Sequence, residues 1–210
     1  MIYAMSSSEI IVLISILLSQ YQLLTVLHLP LSLYIPLTGT VTGIIIHYLK
    51  LRSQGKALVL VLSRDLAIDV CGTIVPTILA LVPVLVVPSP KPAQIICLVT
   101  LSISIAAITS LSTTSRMLVN VIRFVLIFTC LSAPFVDSLT MLTWIPLISI
   151  LGIIVGADLI PYLLILKRND VENRQGIFII GGAGLLDAIT LSYLMSRGIT
   201  GLIYTVLSRL

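Results

Sequence analysis

The stretch that most constrains this chain is residues 141–166, an apolar run in which Asp158 is the only charged residue. A helix of about 20 such residues is long enough to cross the hydrocarbon core of a bilayer, which is about 30 Å thick. Because a segment in lipid must bond its own backbone polar groups, such a run predicts a transmembrane helix. The predicted fold class is therefore all-α.

Other apolar runs repeat this pattern, and together they predict a polytopic transmembrane helical bundle of about seven spans. The predicted spans cover residues 10–27, 32–49, 66–87, 93–113, 117–134, 141–166 and 177–196. The tail ITGLIYTVLSRL is too short to cross alone, so it is either a short eighth, interfacial segment or the extension of the last helix. Because 58% of the residues are hydrophobic and only 10% are charged, we expect residues 1–210 to form a single integral membrane domain.

Basic side chains cluster in alternate loops, which predicts that those loops and the N-terminus are cytoplasmic. The basic residues concerned are Lys50, Arg52, Lys56, Arg64, Arg116, Lys167, Arg168 and Arg174. Since the first run has no basic leading region and no small-residue cleavage site, we expect a retained span and not a signal peptide. The prediction is a multi-pass protein of the inner or plasma membrane.

The same distribution of charge narrows the classes of partner. The net charge of +4 lies mainly in these loops, so it does not indicate nucleic-acid binding.

Cys71, Cys97 and Cys130 are odd in number and far apart in apolar sequence, which suggests neither a disulfide framework nor a metal site. We expect no metal and no cofactor. The predicted partners are the lipid bilayer, a membrane-embedded peptide or small solute as substrate, and, for so short a chain, a second copy in a homo-oligomer.

Three of the eight acidic residues fall inside predicted spans. Asp69 is only a few residues into the third span and could reach the membrane interface. Asp158 lies nine residues before Lys167, and Asp187 lies eleven after Gly176, so in two antiparallel helices both would be about 13–17 Å from the cytoplasmic loop. That depth is near the bilayer midplane, where a charged Asp costs at least about 2.5–3.5 kcal/mol, so we expect a functional paired-aspartate site there.

Small and helix-breaking residues surround these two aspartates. Gly152 and Gly156 have the spacing that lets a neighbouring helix approach closely. Pro161 has no backbone N–H and so frees the carbonyl of Ala157. Gly181, Gly182 and Gly184 precede Asp187 and permit close helix contact or local unwinding. We expect Asp187 to face Asp158 across a glycine-lined contact between the helices of the pair at about 141–196.

Two carboxyls held together in a low dielectric share a proton, and this chemistry leaves three interpretations open. The pair could activate water and protonate a leaving amine, as in aspartic proteases. It could instead carry the proton of a transport cycle, with Arg123 as a counter-charge. In the third interpretation the chain is a membrane scaffold, and the protonated acids only fix helix packing.

The segments GADLI and IGGAGLLDAI, joined by a short basic loop, resemble the prokaryotic membrane family called domain of unknown function 1614. AIDVCGTIVP, residues 67–76, is also similar to a segment of that family, which more often has Asn at the position of Asp69. The resemblance covers residues 60–195 and implies a prokaryotic inner-membrane protein, but it brings no activity.

A looser resemblance is to the GxGD intramembrane aspartyl proteases, which also place one Asp on a helix and a second after a glycine motif. Here Asp187 comes two residues later than in that pattern, and no Pro-Ala-Leu tripeptide follows. The resemblance implies that Asp158 and Asp187 share catalysis and that Gly182 and Gly184 admit an extended peptide. Proton-coupled transport of a small solute is the alternative.

Overall fold

Most of the chain forms helices in the computed structural model, which describes residues 7–27, 31–54, 58–63, 65–112, 117–167 and 177–207. The α-helices are α1 (Ser7–Leu27), α2 (Leu31–Ser53), α3 (Val75–Val86), α4 (Pro92–Thr109), α5 (Val121–Ser132), α6 (Ser138–Gly152), α7 (Ile160–Lys167) and α8 (Ala188–Leu207). A π-helical turn, Val70–Ile74, leads into α3, and a second, Ile153–Leu159, joins α6 to α7. The predicted all-helical character is thus confirmed for the bulk of the described chain.

Five short strands in the described residues were not predicted. β1 (Val59–Val61), β2 (Leu66–Asp69) and β5 (Phe178–Ile180) form one sheet in the order β1-β2-β5. β1 runs antiparallel to β2, and β2 runs parallel to β5. β3 (Ser110–Ser112) and β4 (Met117–Val119) form a separate antiparallel pair. These strands are only three or four residues long, which is too short for periodicity to distinguish them from helix.

The strands correct the predicted limits of several helices. The runs 66–87, 117–134 and 177–196 each begin with a strand, so the helical parts start at Val70, Val121 and Ala188. The C-terminal tail extends the last helix, because α8 continues to Leu207. The short eighth segment, which was the other interpretation of the tail, is therefore not formed in the described residues.

Two helices of the described chain are long and apolar enough to cross a membrane: Pro92–Thr109 and Ser138–Leu164. Val70–Val86 and Val121–Phe135 are apolar but shorter. Large apolar side chains on these helices face outward, and that of Ile108 is 81% exposed. These features suggest association with a membrane.

Part of the predicted orientation concerns residues that the structure does not describe. The basic residues Lys56, Arg64, Arg116, Arg168 and Arg174 lie outside the described residues.

The close helix approach predicted at Gly152 and Gly156 is confirmed, and the partner is α4. A Cβ at Gly152 would lie 1.9 Å from the Ser102 hydroxyl, and one at Gly156 would lie 2.5 Å from the backbone oxygen of Ile103. The Ser102 hydroxyl donates to the backbone oxygen of Ile148, 3.0 Å away. These two glycines therefore fix the contact between α4 and the helix that carries Asp158.

Asp137 caps the first turn of α6. Its carboxylate accepts the backbone N–H groups of Leu139 (3.1 Å) and Thr140 (3.0 Å) and the Thr140 hydroxyl (2.6 Å). Burial opposes the charge, but these bonds outweigh it and hold the pKa of the Asp137 carboxyl below its usual value.

Replacing this cap gives a pH-dependent loss of stability. Asp137→Ala is expected to lower the free energy of unfolding by about 0.5–2 kcal/mol at pH 7. A lowered folded-state pKa contributes stability above the unfolded value of about 3.9, and that contribution is lost as pH falls through the folded value. Thermal unfolding in detergent should therefore show a smaller difference between the two proteins at pH 3 than at pH 7. Equal differences at both pH values would contradict this assignment.

Candidate acidic site

Asp187 follows a strand and a turn, and this corrects its predicted place within a helix. After β5, residues 181–183 form a turn and Gly184–Leu186 form one turn of 3-10 helix. The Asp187 carboxylate then accepts the backbone N–H of Ile189 (3.0 Å) and of Ala183 (3.2 Å). Because residues 177–187 are not α-helical, the depth estimated from an α-helical rise does not apply to Asp187.

Two glycines of this turn adopt backbone angles that other residues rarely take. Gly181 has φ +74° and Gly184 has φ +67°, and the Gly184 N–H donates to the Gly181 oxygen (2.9 Å). A Cβ at Gly181 would lie 2.1 Å from the Thr73 hydroxyl, whereas one at Gly184 would lie 1.9 Å from the Tyr48 hydroxyl. Gly182 is exposed. The turn is thus packed on one side and open on the other.

Asp69 occupies a matching position at the end of β2. Its carboxylate accepts the Gly72 N–H at 2.7 Å and caps the π-helical turn that leads into α3. Asp69 is 3% exposed, so its side chain is enclosed by protein, whereas the sequence suggested that it could reach the membrane interface. Each of the two parallel strands β2 and β5 therefore leads to an aspartate that caps the next helix.

Hydroxyl groups tie these two strand-to-helix connections together. The Thr73 hydroxyl donates to the Ile180 oxygen at the end of β5 (3.2 Å), and the Thr190 hydroxyl donates to the Gly72 oxygen (3.3 Å). A Cβ at Gly72 would lie 2.1 Å from the Gly181 oxygen. The two backbones touch, which brings the N-terminal ends of α3 and α8 to one place.

Asp158 joins this place from the π-helical turn between α6 and α7. In this turn the N–H of Ile160 bonds to the oxygen of Val155, five residues earlier, and Pro161 follows immediately. π-Helical turns often mark functional sites. The Asp158 carboxyl is close enough to Asp187 to interact with its charge, and Asp69 interacts with Asp187 in the same way. Asp69, Asp158 and Asp187 together form the acidic cluster.

The hydrogen bonds of the two predicted catalytic aspartates differ. Both oxygens of Asp187 accept backbone N–H groups. Among the described residues, none donates a hydrogen bond to Asp158. Both carboxyls are only partly buried. The cluster thus combines an anchored carboxyl, Asp187, with a carboxyl that no described residue bonds, Asp158, and the two interact electrostatically.

Sequence reasoning missed the cationic edge of the cluster. Arg52 donates to the Glu9 carboxylate (3.2 Å) and to the Tyr48 hydroxyl (3.4 Å), and Tyr48 lies against Gly184. Glu9 is 2% exposed, so this ion pair is partly buried. Arg52 also interacts electrostatically with Asp69. A sequence signal existed, because both Glu9 and Arg52 belong to the predicted cytoplasmic ends of their spans.

Arg123, predicted as a counter-charge for the aspartates, lies elsewhere. It is exposed in the first turn of α5, where its backbone N–H donates to the Asn120 side chain (3.2 Å). Within the described residues, no group of three or more His, Cys, Asp or Glu side chains is arranged to hold a metal ion.

A protein family described as "Protein of unknown function (DUF1614)" matches residues 39–199, which is most of the chain. The chain belongs to the DUF1614 family. The matched region contains all three members of the acidic cluster and excludes α1. No curated protein and no solved structure matches the chain.

The family brings no activity with it, and the comparisons do not support the resemblance to GxGD proteases. What this DUF1614 protein can do chemically must be inferred from the acidic cluster itself. Two interacting carboxyls can exchange protons with water, with a peptide or with a transported solute.

Proposed function

We propose that this DUF1614 protein is an intramembrane aspartyl protease in which Asp158 and Asp187 act on a membrane-embedded peptide. The observation that carries the proposal is the interaction of these two carboxyls beside an open turn at the end of β5. Asp187 is anchored by two backbone N–H groups, whereas Asp158 has no such bonds among the described residues. That asymmetry suits a base and an acid.

The membrane topology that we propose has seven spans with a cytoplasmic N-terminus. α1, α2, the helix Val70–Val86, α4, the helix Val121–Phe135, the continuous α6–α7 segment and α8 would be the spans. The alternation of basic loops supports this orientation. The acidic cluster would then lie toward the cytoplasmic half, because Arg52 and the end of α7 flank basic loops.

β5 offers a binding edge for an extended substrate. Within the described residues β5 pairs only with β2, so its other edge is unpaired. In this register Phe178 and Ile180 direct their backbone groups toward β2, so the N–H and C=O of Ile179 have no strand partner among the described residues. A peptide adding to this edge would continue along the exposed Gly182 toward Asp187.

The reaction that follows is hydrolysis by two carboxyls. The Asp187 carboxylate takes a proton from water, the water oxygen bonds to the peptide carbonyl carbon, and Asp158 donates its proton to the carbonyl oxygen. When the resulting diol collapses, the C–N bond breaks, the nitrogen takes the proton from Asp187, and Asp158 regains its own. The products are a carboxylic acid and an amine.

The test is cleavage of membrane-embedded peptides by the full chain reconstituted in liposomes. A panel of single-span peptides of varied sequence is incubated with the protein, and products are identified by mass spectrometry. Asp158→Asn is expected to lower the cleavage rate by about 10²- to 10⁴-fold, as loss of a general acid does. The matched control is Asp137→Asn, which changes a helix-capping aspartate outside the acidic cluster and should leave cleavage unchanged. Cleavage by Asp158→Asn at the unmodified rate would contradict the proposal.

A second candidate, proton-coupled transport of a small solute, is favoured by the buried face of α8. Thr190, Tyr193, Arg197 and Thr200 follow one another at helical spacing from the acidic cluster, and each is at most 1% exposed. Such a line of polar groups suits a solute path inside a bundle. Under this alternative no peptide is cleaved, and Asp158→Asn abolishes proton flux measured with a pH-sensitive dye in the same liposomes. A scaffold would show neither activity.

A further inference from the structure

Arg197 is a charged side chain buried in the middle of α8. Its relative exposure is 1%, and it is among the largest fully buried side chains in the described part of the protein. Burying a guanidinium is costly unless its N–H groups are bonded and its charge is balanced. Arg197 therefore calls for a specific partner.

Among the described residues, only one nitrogen of the guanidinium has a hydrogen-bond partner. Nη1 donates to the backbone oxygen of Leu142 in α6. That oxygen has lost its usual helical donor, because the residue four positions later is Pro146, which has no N–H. The proline thus creates the acceptor that fixes the orientation of the Arg197 side chain.

The remaining edge of the guanidinium, formed by Nε and Nη2, is buried and has no hydrogen-bond partner in the part of the chain that the structure describes. These two groups point their N–H bonds in parallel, and this edge binds a carboxylate or a phosphate through two hydrogen bonds. An unbonded edge at this depth would be strongly destabilising. Its geometry therefore indicates the shape of what it binds.

No described side chain accepts a hydrogen bond from Nε or Nη2 of Arg197. The nearby Ser196 and Thr200 hydroxyls are bonded to α8 backbone oxygens, and the Tyr193 hydroxyl is bonded to Gln20 (2.7 Å). No described carboxylate forms an ion pair with Arg197. The acidic cluster is remote, because Asp187 precedes Arg197 by ten residues, or about 15 Å of helix.

We propose that Arg197 is an oxyanion-binding residue, which holds a carboxylate or phosphate group between α6 and α8 through its Nε and Nη2 edge. The oxyanion belongs either to a free small anion or to the headgroup of an anionic lipid. The site is separate from the acidic cluster, so the inference does not depend on peptide cleavage or on proton flux.

The experiment measures thermal unfolding of the full chain purified in detergent. Sodium phosphate, sodium acetate or phosphatidylglycerol is added in increasing amounts at constant ionic strength. A ligand that binds the folded state raises the Tm with concentration, by about 2–4 °C for each kcal/mol of binding linkage in a chain of this size. We expect such a rise for the unmodified protein with at least one of these three probes.

Three variants locate the effect. Arg197→Gln should abolish the rise, and Arg197→Lys should move it to at least about tenfold higher concentration, because lysine keeps the charge but loses the parallel N–H pair. If Arg197→Gln does not fold, Arg197→Lys still gives the comparison. Arg123→Gln removes an exposed arginine and should behave like the unmodified protein.

Each outcome has a definite meaning. A rise with phosphate or acetate that depends on Arg197 supports the site with a free anion as ligand. A rise with phosphatidylglycerol alone, again dependent on Arg197, supports it with a lipid headgroup. No rise with any probe, or an equal rise in Arg197→Gln, overturns the proposal.

Discussion

Gly72→Ala is expected to lower the free energy of unfolding by about 3 kcal/mol or more, at the upper end of what overpacking costs. The added Cβ would lie 2.1 Å from the Gly181 oxygen and 3.0 Å from the Gly184 oxygen. Both neighbours are backbone atoms, so no flexible side chain can move aside. Relief requires the two strand-to-helix connections to separate.

The matched control for Gly72→Ala is Gly39→Ala in α2. Gly39 has nothing within 4 Å of its Cβ position, so alanine there should leave stability unchanged or raise it by up to about 1 kcal/mol through helix propensity. Thermal unfolding of both variants in detergent measures the contrast. Equal stability of the two variants would show that the backbone contact between Gly72 and Gly181 is not tight in solution.

Gly72 also shows what the sequence could not predict. The sequence predicted that the glycines before Asp187 line a close contact with the helix that carries Asp158; Gly181 and Gly184 do pack closely, but not against that helix. Their partners are Thr73 and Tyr48, which lie more than 100 residues away in the chain. The local patterns of a single sequence do not show which residues far apart in the chain come into contact, so the parallel pairing of β2 with β5 could not be inferred.

The sequence did identify Asp158 and Asp187 as exceptional, because a carboxyl in an apolar run has few uses. It gave the wrong local structure for Asp187, since FIIGGAGLLD was counted as helix when the run begins with β5. The three glycines in this run indicated a turn, because glycine readily adopts the positive φ that many turns require. Asp69 was assigned to the interface by depth alone, whereas pairing of β2 with β5 buries it.

Buried polar residues outside the motifs were harder to find. Arg197 lies in SYLMSRGITG, where a basic residue after a predicted span suggests a loop. Only the continuation of α8 to Leu207 shows that Arg197 is in mid-helix. Glu9 was similarly placed at a span end, and only the folded chain brings Arg52 to it.

The largest effect on activity is expected from Asp187, where the role of capping α8 can be separated from proton transfer. Asparagine caps helices about as well as aspartate, because its side-chain oxygen still accepts the N–H of Ile189. It cannot carry the proton. Asp187→Asn should therefore lower the rate of peptide cleavage by about 10²- to 10⁴-fold with a smaller fall in Tm than Asp187→Ala causes.

Asp187→Ala removes both roles at once. It leaves the N–H groups of Ala183 and Ile189 without their acceptor, at a cost of about 0.5–2 kcal/mol for the cap. The cleavage rate and the Tm of each variant are measured on the same samples, so that loss of activity can be compared with loss of stability. If the aspartate served only packing, activity would follow Tm, and Asp187→Asn would remain nearly as active as the unmodified protein. Loss of activity in Asp187→Asn with its Tm largely kept is the result that only proton transfer explains.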